Sequence, residues 1–372
     1  MNNVNRINDN NKKNRLEYID ALRAFALFGV IMVHINQMYS FYNDCNDFSY
    51  FTSFGVKCKQ IVYWLFDDKS RTIFSTLFGI SCYFILRNPN YSNGKFAWRC
   101  LLLIVFGLFD KLFSSGDILM WYGINGIIIS FIPVKRIRPS ILLTIAILLF
   151  FISFINISPF FNTSLPNRYL TNTNLIDIIT YPMSDIVVSD LSGRLCIDST
   201  MTLSCFFVGF YLGKSGIIEN INRYTSIRVC ILTTFLFAAT LILYRISYYD
   251  LTLWRFSVLT GAFALSIDFI YLFNHSAKIL TPLTRYGKLG LTNYSSQYII
   301  GTILILYVAI PLRISIEFVF MYGIALYLLQ LVFAQIWTSH FRYGPLEWLW
   351  RTATNKCPTC FMKNTKRRNE SR

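Results

Sequence analysis

The feature that most constrains this chain is the stretch 15–38, RLEYIDALRAFALFGVIMVHINQM, apolar throughout but with an acid and a base near one end and a histidine near the other. Advancing 100° per residue from Asp20, the helical step, places Arg23, Ala24, Leu27, Ile31 and His34 within about 60° of it. From Asp20 onward every ionisable group, Asp20, Arg23 and His34, therefore shares one stripe. Such groups are costly in hydrocarbon and by default mark function there, and Ala24 beside the charged pair lets another helix come close. The stripe is expected to face protein, not lipid. From Asp20 to His34 the rise is about 21 Å at 1.5 Å per residue, roughly two thirds of a hydrocarbon core, so the histidine belongs to the opposite half of the membrane from the pair. Asp20 and Arg23, near the helix start, read first as an architectural ion pair, and His34 as the more chemical residue.

Composition agrees with a membrane setting. Of 372 residues 54% are hydrophobic and only 15% charged, far from a soluble domain, which predicts an all-α, polytopic membrane helix bundle with the lipid bilayer as its main partner. The first 19 residues are polar and carry no cleavable signal pattern, so the first helix is expected to be retained. Nine further spans are predicted near 71–87, 99–115, 117–133, 139–158, 201–218, 228–246, 255–273, 291–311 and 315–338, making ten. IVYWLF, just before DDKSR, is too short to span and predicts a surface or re-entrant piece.

The formal charge of +16 does not point to nucleic acid, because the Lys and Arg residues fall in short groups between apolar segments. Placing the N-terminus inside puts a basic group in every inner segment, among them Arg15, Arg87, Lys135, Arg228, Lys278 and the tail from Arg342. The positive-inside rule then gives N-in, C-in. The expected organisation is a polar cytoplasmic head (1–14), one transmembrane domain (15–351) with external segments at 41–60 and 159–200, and a basic, disordered tail (352–372). Of nine cysteines, Cys82, Cys100, Cys205 and Cys230 lie in or beside apolar segments. Cys45 and Cys58 share an external loop where a disulfide can form if the compartment is oxidising; the lone CxxC at Cys357 and Cys360 lacks the four ligands of a zinc site. No metal is expected.

Within the spans, Arg71, Ser75, Phe78, Gly79 and Cys82 recur at helical spacing and line one face. Lys69 and Arg71 belong to the outer end, on the side of His34, and LFSSGDILMWYG reads as a tight outer turn that puts Asp117 at the mouth of the next span. His34, Arg71 and Asp117 are the candidate catalytic residues, although capping by Asp117 and interfacial snorkelling by Arg71 explain those two equally well. Asn293 and Gln297, four apart, suit an interhelical hydrogen-bond network that is more often glue than chemistry.

The blocks RLEYIDALRAFALFGVIMVHI, KSRTIFSTLFGIS, RCLLLIVFGLFDKLFSSGDILMWYGING, GKLGLTNYSSQYIIGT and FRYGPLEWLWR occur in that order. Together they resemble the YeiB-like membrane family (domain of unknown function 418), from about Arg15 to Arg351. That family is similar to the transmembrane acyltransferase superfamily, and the resemblance implies a bacterial cytoplasmic-membrane enzyme. It would move an acyl group from a cytosolic donor such as acyl-CoA, a co-substrate and not a resident cofactor, to a glycan or lipid-linked acceptor. Two positions depart from the family pattern: where His34 stands an asparagine is common, and where Asp110 stands a histidine is usual.

On this reading His34 is the general base or carries the acyl group, Arg71 orients the acceptor or stabilises an oxyanion, and Asp117 fixes the imidazole. Arg285, Lys288 and Arg351 are candidates for the donor's phosphates, and topology charges otherwise. Asp20, Arg23, Lys69, Ser75, Asp110, Asn293 and Gln297 form the supporting polar set. The rival expectation is a transporter or flippase for a small or lipid-linked solute, and the blander one a membrane scaffold.

Overall fold

The structure, a computed structural model, describes residues 2–42, 52–88, 91–113, 117–134, 136–154, 195–309 and 311–355. Among these there are helices and no strands. α1 (Asn2–Tyr42) is followed by α2 (Ser53–Leu65), α3 (Lys69–Arg87), α4 (Asn93–Lys111), α5 (Leu119–Phe131) and α6 (Pro139–Ile152). After these come α7 (Leu195–Lys214), α8 (Ile227–Ile246), α9 (Leu251–His275), α10 (Ala277–Lys288), α11 (Gly290–Leu304), α12 (Ile316–His340) and α13 (Pro345–Asn355).

α1 is the central post. It packs on α3, α10, α11 and α12, and 72% of its apolar window is buried against 22% for α8. Its small residues explain the close approach: Ala21, Ala24 and Ala26 are fully buried, and in lipid it is such close packing, not hydrophobicity, that joins helices. Ala24, Leu27, Ile31 and His34 are all buried, so the stripe faces protein as its sequence requires. Tyrosine hydroxyls pin the post along its length, Tyr18 donating to the Ile218 carbonyl (2.9 Å), Tyr327 to that of Ala24 (3.0 Å) and Tyr39 to that of Ile314 (2.8 Å). α8, by contrast, shows Ile231, Phe235 and Ile242 to the outside and pairs with α9 through Thr240–Thr260 (2.9 Å) and Thr234–Asp268 (2.8 Å).

A helix occurs at each of the ten expected segments, and four of them (Glu17–Tyr39, Ile227–Ile246, Leu251–His275 and Ile316–His340) are long and apolar enough to cross a membrane. The structure adds local detail to these expectations and changes some of them. Residues 53–60 are helix, not loop, capped by the Thr52 side chain on the Gly55 N–H. Residues of the polar head are helical from Asn2. α10 and α13 are amphipathic helices in regions read as connections or tail, where their polar faces diluted any apolar run. The described residues on either side of the α4–α5 turn are enclosed by protein: Asp110, Lys111 and Asp117 are buried, and the Phe113 carbonyl accepts from Thr302 of α11 (2.9 Å). α5 has 13 residues, about 20 Å of rise, and Asp110, Phe113 and Asp117 find partners on α11. The segment 159–194, Cys45, Cys357 and Cys360 lie outside the described residues; Cys58 is a free thiol.

α3 and α7 cross at Gly79 and Gly209, where a Cβ on either would run into the other helix's backbone at Phe206 or at Thr76 and Ile80. Backbone cannot yield as a side chain can. Gly79→Val is expected to cost at least about 2–3 kcal/mol, read as a lowered thermal midpoint in detergent, whereas Gly94→Ala, in open space, leaves the midpoint unchanged.

Candidate functional site

His34, Tyr298, Tyr294 and Asp117 form a continuous hydrogen-bonded chain in the interior. His34 Nε2 lies 3.0 Å from the Tyr298 hydroxyl, Tyr298 lies 3.0 Å from the Tyr294 hydroxyl, and Tyr294 donates to Asp117 Oδ1 at 3.2 Å. The two tyrosines share a face of α11 because they are four residues apart. Asp117 is held at the head of α5, accepting from the N–H groups of Leu119 (3.1 Å) and Met120 (2.9 Å), so the capping role and the contact with Tyr294 coexist. Lys111, buried beside it, supplies the opposite charge. Asp110 accepts from Ser295 at 2.8 Å through Oδ2. Among the described residues, Asp110 Oδ1 and His34 Nδ1 are buried without a partner, which is costly and normally calls for a reason.

Tyr294 also forms part of the wall of a cavity of about 390 Å3 bounded by α1, α3, α4, the α10–α11 junction and α13. Phe74, Phe78, Phe96 and Leu103 make its apolar interior, while Arg23, Arg99, Lys288 and Arg351 contribute cations and Asp20 and Glu347 acids. Arg23 is paired with Asp20 and donates to Ser81 (2.7 Å). Glu347 accepts from the N–H groups of Leu291 (2.7 Å) and Thr292 (3.0 Å) and from the Thr292 hydroxyl (2.5 Å). Burial pushes its carboxyl up, and the Thr292 bonds oppose that. With both acids engaged, Arg99, Lys288 and Arg351 leave a net positive rim. Aromatic rings orient two of them: Arg99 lies 3.8 Å over Trp350 and Arg351 4.4 Å over Tyr343. An apolar pocket with a cationic rim suits a ligand that joins an apolar part to an anionic head.

Of the residues expected from sequence, His34 and Asp117 are joined through the tyrosines. Arg71 pairs with Asp68 at 2.8 Å, and its carbonyl accepts from Ser75 (2.7 Å) and Tyr122 (3.3 Å). Lys69 is fully buried, with Nζ 3.8 Å over Trp254, in a cluster at the α2–α3 turn. Lys288 and Arg351 line the cavity, as do Asp20 and Arg23, which gives the latter pair a place in a site as well as in the architecture. Arg285 is exposed and is not part of the lining. Asn293 and Gln297 are glue: Asn293 donates to the Tyr286 carbonyl (3.1 Å), Gln297 to the Tyr286 hydroxyl (3.2 Å), and Gln330 to the Asn293 carbonyl (3.0 Å). That network ties α10, α11 and α12 together.

Sequence reasoning missed Tyr294, Tyr298, Lys111, Arg99 and Glu347. The tyrosines had a signal, since their i, i+4 spacing in NYSSQY is the same as that of Asn293 and Gln297, one position along. Arg99 and Glu347 had none, because only the packing of α13 on α4 and α11 brings them together.

Fold and site together define a helical membrane-type protein whose central helix meets a polar chain and a cation-rimmed cavity. Residues 212–356 match the family described as "Protein of unknown function (DUF418)". The chain is 26% identical over 332 residues to the "Uncharacterized 39.9 kDa protein in amylase 3'region" of Bacillus acidopullulyticus, covering 80% of this chain and 82% of that one. Similarity to the uncharacterised YxaH of Bacillus subtilis is 24% over 337 residues, 79% and 81% of the two chains. Similarity to the uncharacterised YeiB of Escherichia coli K12 is 32% over 77 residues, 21% of this chain and 20% of that one. The C-terminal part of the chain is thus similar to the DUF418 family, and most of its length to uncharacterised relatives. The matched stretch contains Tyr294, Tyr298, Lys288, Glu347 and Arg351, whereas His34, Asp110 and Asp117 precede it.

Glu347 is the tie between α13 and the start of α11. Glu347→Ala leaves the Leu291 and Thr292 donors without that acceptor, and is expected to cost about 1–3 kcal/mol and to speed proteolytic cleavage within 345–355, followed by mass spectrometry of the fragments.

Proposed function

We propose that this protein is an integral-membrane acyltransferase of the bacterial cytoplasmic membrane, with its helical segments crossing in an N-in, C-in arrangement. It takes an acyl group from a cytosolic donor such as acyl-CoA and passes it to an extracytoplasmic glycan or lipid-linked acceptor. The observation that carries the reading is the cavity itself: cationic at its rim, apolar within, and sharing the Tyr294 wall with the chain that ends on His34.

The donor's phosphates meet Arg99, Lys288 and Arg351, and its acyl portion lies among the phenylalanines. His34 takes the proton of the acceptor hydroxyl. The freed oxygen attacks the thioester carbonyl, the carbon–sulfur bond breaks, and the thiolate leaves to become free thiol. General-base action of this kind is worth about 10²–10⁴-fold. Arg71, held by Asp68 at the head of α3, is assigned to the acceptor. The family's frequent asparagine at the position of His34 makes this base a property of the present chain and not of all its relatives.

Purified protein in lipid nanodiscs with labelled acetyl-CoA and longer acyl-CoA donors tests this. Transfer of label to a lipid-linked or glycan acceptor is expected, falling about 10²-fold or more in His34→Ala. Arg351→Gln is expected to raise the KM for donor with little change in kcat. Unchanged transfer by folded His34→Ala removes the histidine from the mechanism. Uptake of solute into vesicles without any dependence on acyl-CoA replaces the enzyme with a carrier.

A further inference from the structure

With Asp117 as the accepting end, the hydrogen bonds from it to His34 fit one arrangement of protons. Asp117 receives three donors, the Leu119 and Met120 N–H groups and the Tyr294 hydroxyl, and acts as an ionised, acceptor-only carboxylate. Tyr294 has one proton, given to Asp117, and its oxygen also accepts from the Ile118 N–H at 3.1 Å. The 3.0 Å contact between the tyrosines must then use the proton of Tyr298. Tyr298 has none left for the imidazole, so the 3.0 Å contact with His34 is made by the Nε2 proton. Neutral imidazole carries a proton on one nitrogen only. Nδ1 is therefore the bare nitrogen, and it is the one with no partner among the described residues.

We propose that Asp117, acting through Tyr294 and Tyr298, fixes His34 as the Nε2–H tautomer with Nδ1 as its basic atom, and that the same chain carries the abstracted proton to Asp117. This rests on the acyl-transfer reading for its chemistry but not for its geometry. The acceptor hydroxyl gives its proton to Nδ1, and the Nε2 proton passes to Tyr298. The Tyr298 proton passes to Tyr294 and the Tyr294 proton to Asp117, so no charge accumulates on the imidazole. The electron pair of the broken carbon–sulfur bond leaves on sulfur. Tyr294, at the cavity wall, protonates the thiolate and is reprotonated by Asp117. Exchange with water returns the imidazole to its starting tautomer. Tyr298 and Asp117 are positioning residues in this scheme and Tyr294 is catalytic, since it protonates the leaving sulfur; their spacing across α5 and α11 connects an acceptor at His34 with a donor in the cavity.

The chain has three histidines, His34, His275 and His340, so nitrogen-15 NMR of histidine-labelled protein in nanodiscs resolves the tautomer directly, with His34→Gln giving the assignment. The wild type is expected to show Nε2 protonated and Nδ1 bare. Tyr294→Phe keeps the ring but releases the Tyr298 proton, and is expected to move His34 toward the Nδ1–H form; Asp117→Asn is the second test, expected to act in the same direction. In acyl-transfer assays Tyr294→Phe is expected to lower kcat about 10²-fold with the KM for acetyl-CoA unchanged. An Nδ1–H wild type, or a tautomer unmoved by both substitutions, overturns the proposal even if acyl transfer is found. The expected tautomer and its shift, in a protein that transfers no acyl group, support the fixed imidazole and sink the acyl-transfer reading instead.

Discussion

The structure depends on one constraint: a helix carrying an acid, a base and an imidazole on one stripe needs protein around that stripe. α1 meets it by being enclosed by α3, α10, α11 and α12. Its alanines let backbones approach, and the ionisable side chains of its stripe each reach another helix or the next turn. Asp20 and Arg23 satisfy each other and Ser81, and His34 meets Tyr298. The peripheral α8–α9 hairpin has no such demand placed on it and shows its aliphatic side chains outward.

From this arrangement two environments arise at different heights on the same post. Near Asp20, the end of α10 crosses α1 so closely that Gly287 has no room for a side chain beside the Asp20 backbone. This crossing puts Lys288 at the cavity, and α13 closes the same side, held by Glu347 and by the Trp350 indole, which donates to the Arg99 carbonyl at 2.9 Å. About four turns further along α1, His34 meets the tyrosines of α11, whose chain runs back to Asp117. Tyr294 belongs to both environments. It is the reason the cavity and the histidine can be considered as one site.

Much of the fold was legible because hydrophobic length and helical period are local properties. The ten apolar segments are helices, and the buried stripe of α1 follows from its periodicity alone. Amphipathic α10 and α13 were not legible in the same way, since their apolar faces are seen only when something packs on them. The α4–α5 hairpin shows the same limit: GDILMWYG signals a turn and a cap, but nothing local says that Asp110 and Asp117 on either side are buried. Burial there depends on Ser295, Tyr294 and Thr302, nearly two hundred residues away in sequence.

The candidate site divides along the same line. The sequence by itself determined that His34 shares a stripe with Asp20 and Arg23 and that Asp117 stands at a helix start, because spacing and end position depend on neighbours in the chain. Only the tertiary structure decided that Asp117 reaches His34 through Tyr294 and Tyr298, that Arg71 pairs with Asp68 and Lys69 stacks on Trp254, and that Arg99 and Glu347 line the same cavity as Asp20. A hydrogen bond requires two groups within about 3 Å, and when they lie on helices far apart in sequence, packing alone sets that distance.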